Sequence, residues 1–242
     1  MPEYLAPGVY VEELASNAHP VEGVPTSTAG FVGAAHSGPT DTPVGPITSL
    51  VEFGRQFGDG SVMDFEGLPP TPCFLFAAAQ AFFREGGKRL WIARIARAGS
   101  GADGARPQAE DFERGLSALD TVQDITIIAA PGATYGAGGT FADDGREISA
   151  RLIAHAETTG NRFAILECPD GLDVARALEW RAAFSTNFAA VYFPWIYLTT
   201  TELMPPAGTV AGVFARVDLA RGVWHAPANE VVQATAGRGP NR

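Results

Sequence analysis

From Thr28 onward, apolar positions along this chain switch repeatedly between a period of two and a period near 3.6, the spacings of strand and helix. TAGFVGAA (Thr28 to Ala35) reads as a small-residue buried strand, and the Gly/Pro-rich HSGPTDTPVGP after it reads as a loop ending at Pro46. ITSLVEFGRQFG places Leu50, Phe53 and Phe57 on one helical face, with Ser49 as the N-cap and Gly58 as the stop. A second helix is predicted over Pro72 to Gly87, where a proline stands near the start, Ala, Leu and Phe fill the middle and a glycine pair closes the end. RLWIARIA (Arg89 to Ala96) then alternates as a strand.

The alternation then repeats. AEDFERGLSALDTV is helical through Phe112, Leu116 and Leu119, and DITIIAAPG supplies an apolar strand, Ile125 to Ala130. DDGREISARLIAHAETTG is helical through Ile148, Leu152, Ile153 and Ala156, and RFAILECP (Arg162 to Pro169) is the next strand. DVARALEWRAAF and AAVYFPWIYL make a third helix and strand pair, and a last helix is predicted from about Ala207 to Leu219, followed by a loop past Trp224 and a frayed end, TAGRGPNR. Helices between short apolar strands imply right-handed crossovers, so the expected fold is α/β: a mostly parallel sheet flanked by helices. The expected organisation is an arm over 1–28, one α/β domain over 29–232 and a tail over 233–242.

The first 28 residues differ from the rest: four prolines and four glutamates with no Lys or Arg, the composition of an extended arm outside a core. Its one expected ordered element is a strand over Val9, Tyr10, Val11, Glu12 and Glu13, which has no obvious partner within its own chain.

Composition narrows the function. The chain has 242 residues, 46% of them hydrophobic and 18% charged, enough to bury a sizeable core. A net charge of −10 lacks the positive field that phosphate binding requires, so nucleic acid is not an expected partner. Cys73 and Cys168, far apart in sequence, read as buried free thiols from a reducing site of synthesis. The N-terminus has neither the basic nor the apolar region of a signal peptide, and no apolar stretch is long enough to span a membrane, so direct membrane insertion is not expected.

No chemistry motif has the required spacing. PGATYGAGG follows a strand but holds neither GxGxxG opening a helix nor GK[ST], which leaves an ordinary βα loop. Among candidate bases, His19 lies in the arm, His36 in a loop, His155 on a helix where a solvated or core-edge role fits, and His225 in GVWHAPANE without Ser or Cys beside it. There is no GxSxG elbow, no CxxC and no HxxxH, and Asp143–Asp144 is a helix-start signature. The expectation is no catalytic residues, no cofactor and no metal. An enzyme with a pocket at the carboxyl ends of the strands, near Pro131 to Thr140 and Pro169 to Leu172, is the alternative.

One charge feature stands out. Between Arg84 and Arg106 six basic residues face only Glu85 and Asp103. Arg84, Lys88, Arg89, Arg94 and Arg97 form either a solvated sheet edge or a basic intersubunit patch for the acidic arm of another copy.

MPEYLAPGVYVEE, TAGFVGAAHSGP, ITIIAAPGA, RFAILECP and PPAGTVAGVFARVDLARGVWHAPANE, in this order and spanning nearly the whole chain, resemble the contractile tail sheath family, found in phage tails and phage-like extracellular injection systems. The resemblance implies a structural subunit of a virion or phage-tail-like particle, assembled in the bacterial cytoplasm into stacked hexameric rings around an inner tube above a baseplate. Shortening of the rings drives the tube through a target envelope. It also implies an α/β domain called subtilisin-like in topology, and a terminal-arm strand that joins the sheet of another copy or of a related sheath chain by strand addition. Family members usually continue well past APANE, whereas here twelve residues follow Glu230. A truncated chain, a short paralogue that caps or modifies a sheath, and dependence on a second sheath-like chain are the three accounts this leaves open.

Overall fold

A computed structural model describes residues 27–40, 42–139, 141–197, 203–233 and 237–238. The predicted arm strand, Val9 to Glu13, lies outside the described residues. The domain is built on strands β1 (Thr28–Ala34), β2 (Val44–Ile47), β3 (Arg89–Ile95), β4 (Ile127–Ala129), β5 (Phe163–Glu167) and β6 (Ala189–Tyr192), which form one sheet in the order β2-β3-β1-β4-β5-β6. All its pairings are parallel except that of β2 with β3.

The period-two pattern explains why both faces are covered. Ala29 and Phe31 of β1, Leu90 and Ile92 of β3, Ile127 and Ala129 of β4 and Ile165 of β5 share a core with helices α1 (Leu50–Phe57), α2 (Phe74–Arg84) and α6 (Ala207–Arg221). The alternate positions Val32, Ala93, Ile128, Ala164 and Leu166 pack against α3 (Ala109–Leu119) and α4 (Ala142–Thr159). A smaller helix, α5 (Val174–Ala182), brings Trp180 against Ala137, Cys168 and Leu172.

Local signals were decisive where they had a mechanism. Ser49 caps α1 by accepting the amide of Glu52 at 3.2 Å, and Gly58 ends it at φ 93°, in the left-handed region that favours glycine. Asp173 caps α5 by accepting the amide of Arg176 at 2.8 Å. Both cysteines are free and buried, as their isolation in sequence predicts.

Two expected elements differ. The loop ending at Pro46 contains β2, whose Val44 and Ile47 pair with Ile92 and Leu90 across a register shift at Gly45–Pro46. As the sheet edge it tolerates a proline that a central strand would not. The single strand expected for AAVYFPWIYL is two strands. β6 ends at Tyr192, and after Pro194, which has no N–H to extend a ladder, β7 (Ile196–Tyr197) enters a small second sheet between β8 (Leu203–Met204) and β9 (Gly237–Arg238). The backbone of the expected frayed end thus includes a pair antiparallel to β7.

α2 and α6 lie side by side and run in the same direction, because Gly208 meets Ala78, Gly212 meets Phe82 and Glu85, and Arg216 meets Gly86. A β-carbon at Gly208 would stand 2.4 Å from the Ala78 carbonyl oxygen. The small residues of PPAGTVAGVFA therefore set how closely these helices approach, and both end at the amino end of the sheet.

Candidate assembly surface

The two ends of the sheet carry different chemistry. At the carboxyl end, where the chain passes from β3 on one side of β1 to β4 on the other, a cleft of about 240 Å³ opens between Gly33, Phe65, Phe74, Arg106, Tyr135 and Asp170. It lies where the pocket of the enzyme alternative was placed. Its two charged groups are already engaged. Arg106 donates to the Tyr135 carbonyl at 2.8 Å and lies 3.8 Å from the centroid of the Phe141 ring, while Asp170 accepts the Gly136 amide at 2.6 Å. These contacts fix the PGATYGAGG turn, and the cleft wall between them is apolar.

The same end holds an arrangement that the sequence did not reveal. His36 Nδ1 lies 2.8 Å from Asp103 Oδ1, and its Nε2 lies 3.1 Å from Ser61 Oγ, the distances of a Ser-His-Asp triad. Asp59 defeats that reading. The Ser61 hydroxyl donates to Asp59 Oδ1 at 2.6 Å, so its proton is committed away from His36. The Ser61 hydroxyl and amide also hold the Asp59 carboxyl below its ordinary pKa, keeping it ionised. With Asp103 Oδ2 accepting the Asp64 amide at 2.8 Å, the cluster staples the loops after β1, α1 and β3 to one another. Residues 36, 61 and 103 are too far apart in sequence for any spacing motif to pair them.

Two other titratable groups are structural. His155, at the core edge as expected, accepts from Arg162 Nη1 at 2.6 Å, and burial pushes its pKa down. Arg162 also donates to the carbonyls of Leu119 and Val122, both at 2.8 Å. Glu167 is wholly buried at the end of β5. Desolvation raises its pKa to about 8, against the opposing pull of the Gly132 and Ala207 amides, so it is a neutral acid at pH 7.

The amino end is where the chain enters β1. Thr28 is paired with Arg89, one residue from Lys88. β3 runs between the two ends and so divides the basic cluster. Arg84, Lys88 and Arg89 lie at the amino end, and Arg94 and Arg97 toward the other, roughly 20 Å of strand away. Arg94 spends its donors on the Ala35 and Gly38 carbonyls at 2.8 and 3.0 Å, and Arg97 pairs with buried Asp111 at 3.2 Å. Arg89 faces Asp124 at 3.3 Å. Arg84 and Lys88 are exposed and have no hydrogen-bond or ion-pair partner among the described residues.

Beside them the chain that leaves α6 is clasped. Glu85, with no exposed surface, accepts Arg216 Nη1 through Oε2 at 2.9 Å and the Gln233 amide through Oε1 at 2.7 Å. Arg216 Nη2 holds the Val231 carbonyl at 2.9 Å, and Arg221 pairs with Glu230 at 2.9 Å. The strap 223–233 is thereby fixed across the ends of α2 and α6, with the side chains of Trp224 and Val231 84% and 76% exposed.

No family model and no curated protein matches the sequence. Solved structures do. The chain aligns over 97% of its length with a chain of the PVC sheath complex of an extracellular contractile injection system in the contracted state, at 26% identity and a TM-score of 0.59, covering 56% of that chain. The chain is similar in fold and sequence to a contractile sheath protein. The helical sheath of the anti-feeding prophage in its contracted state matches at 23% identity and a TM-score of 0.61, again over 97% of this chain and 58% of that one. A chain of the anti-feeding prophage baseplate matches at 23% identity and a TM-score of 0.63, over 97% and 59%. The chain thus spans under two thirds of the length of each of these matched chains. Among the described residues no helix is long and apolar enough to cross a membrane.

Proposed function

We propose that this chain is a structural subunit of a contractile sheath, assembling with copies of itself or with a related sheath chain as stacked hexameric rings around an inner tube. Contraction would drive the tube through a target envelope, and the particle would be built in the bacterial cytoplasm on a baseplate, with no nucleic-acid partner and no catalytic step. The observation that carries this reading is the alignment of nearly the whole chain with a sheath subunit in its contracted state. The arm completes it. Val9 to Glu13 would add as a strand to an open sheet edge of another copy, gaining backbone hydrogen bonds that it lacks in its own chain. The pull of contraction would then act through extended, proline-bearing links, and the domains would move as rigid bodies between two packings.

Electron microscopy of the purified chain should show rings or tubes. Deletion of residues 1–20 should abolish them while circular dichroism and the thermal midpoint stay unchanged. A full-length chain that remains monomeric at high concentration, or a deletion variant that polymerises as well as the parent, would overturn the proposal.

A further inference from the structure

We propose that the cleft at the carboxyl end of the sheet binds a free α-amino acid with an apolar side chain, its carboxylate on Arg106 and its ammonium on Asp170. The inference is separate from the assembly reading and concerns a ligand site that the sheath role does not call on.

The cleft is built to stay open. One wall is a loop in which Met63 and Thr71 exchange backbone hydrogen bonds of 2.7 and 3.0 Å. That loop is tied to the one after β3 by the Glu66 amide on the Gly104 carbonyl at 2.8 Å and the Asp103 amide on the Asp64 carbonyl at 3.0 Å. Another wall is the turn after β4, where Gly132, at φ 76°, brings its backbone against Phe74; a β-carbon there would stand 2.3 Å from the Phe74 ring. Phe74 in turn packs on Tyr135, with ring centroids 5.0 Å apart. Walls fixed in this way keep about 240 Å³ free among Met63, Phe65, Leu68, Phe74 and Phe112. That volume lies below the roughly 300–1,000 Å³ of a pocket for a drug-sized molecule, so it suits a smaller apolar body such as a single amino acid.

The charged groups select the rest of the ligand, because each is engaged through one atom only. Arg106 donates from Nη2 to the Tyr135 carbonyl and its guanidinium lies over the Phe141 ring, while Nε and Nη1 have no hydrogen-bond partner among the described residues. Burial pushes the Arg106 pKa down. Asp144 and Asp170 offset this in part, yet among the described residues no carboxylate stands within ion-pair distance of it. A partly desolvated cation without an ion pair is unfavourable, and an incoming carboxylate relieves it. Asp170 accepts the Gly136 amide through Oδ1, and its Oδ2 has no partner among the described residues. The same glycine lies beside Arg106, since a β-carbon on Gly136 would stand 3.8 Å from Arg106 Nη1. Opposite charges beside one glycine match a ligand that carries a carboxylate and an ammonium on one carbon. A plain carboxylate would leave its charge facing Asp170, and a plain amine would face Arg106, so the pair selects against both.

Equilibrium dialysis of the full-length chain against ¹⁴C-labelled L-phenylalanine reads bound ligand in assembled and unassembled protein alike. Saturable binding of one molecule per chain is expected, with displacement by L-leucine and L-methionine. Phenylpropionate, which lacks the ammonium, and phenethylamine, which lacks the carboxylate, should each compete about tenfold or more less well. Asp170→Asn keeps an oxygen for the Gly136 amide and removes the charge. It should weaken phenylalanine by about tenfold or more and abolish its advantage over phenylpropionate. Arg106→Gln should abolish the advantage over phenethylamine. Leu68→Trp, which fills the cleft and leaves both charges in place, should remove binding in a chain whose circular dichroism is unchanged. The absence of saturable binding at about 10 mM ligand overturns the proposal. So does phenylpropionate that binds the parent as well as phenylalanine does, or an Asp170→Asn chain that discriminates between the two as the parent does.

Discussion

Gly208 offers a test in which two known effects oppose each other. Replacing glycine by alanine in a helix ordinarily stabilises it by up to about 1 kcal/mol. At Gly208 the new β-carbon would stand 2.4, 2.5 and 2.8 Å from the carbonyl oxygen, Cα and carbonyl carbon of Ala78, all backbone atoms of the neighbouring helix. None can rotate away, so α6 must move off α2 and lose contact with the shared core of β1, β4 and β5. Such overpacking costs about 1–3 kcal/mol, which outweighs the propensity gain. Gly54, in the middle of α1, has nothing within 4 Å of where its β-carbon would be and serves as the matched control. Gly54→Ala should therefore stabilise the chain by about 0.5–1 kcal/mol and Gly208→Ala destabilise it by about 1–2, a difference near 2 kcal/mol. Guanidinium denaturation of the chain lacking residues 1–20, which is expected to fold without assembling, followed by circular dichroism, resolves a gap of that size. If Gly208→Ala proved as stable as the parent or more so, close helix approach would not be the reason for glycine there.

Glu167 should give the domain a pH dependence. Its folded pKa of about 8 lies above the ordinary glutamate value of 4.5, so the unfolded chain loses this proton first and stability falls as pH rises through that window, by at most about 5 kcal/mol. Glu167→Gln should then be the more stable form at pH 8 and lose most of that advantage at pH 5; a difference independent of pH refutes the assignment. At Ser61, a fluorophosphonate probe should leave the side chain unlabelled because Asp59 holds its proton, and stoichiometric labelling abolished by His36→Ala would restore the hydrolase reading.

Much of the architecture was legible in the chain because its determinants are local. The strands, helices and caps follow from periodicity and from residues such as Ser49 and Gly58, whose partners lie within one turn. The edge strand β2 was hidden by Gly45 and Pro46, which signal a loop, and the break in AAVYFPWIYL depends on which sheet each half joins. The sequence by itself determined a parallel α/β domain, an acidic composition before Thr28, two buried thiols and a sheath-like order of motifs. Tertiary structure alone decided the division of the basic cluster between opposite ends of β3, the staple of His36, Ser61 and Asp103, and the clasp in which Glu85 meets Arg216 and Gln233, 131 and 148 residues away. The physical reason is that hydrogen bonds and ion pairs depend on distance in space, and across such separations only the packed sheet and helices set that distance.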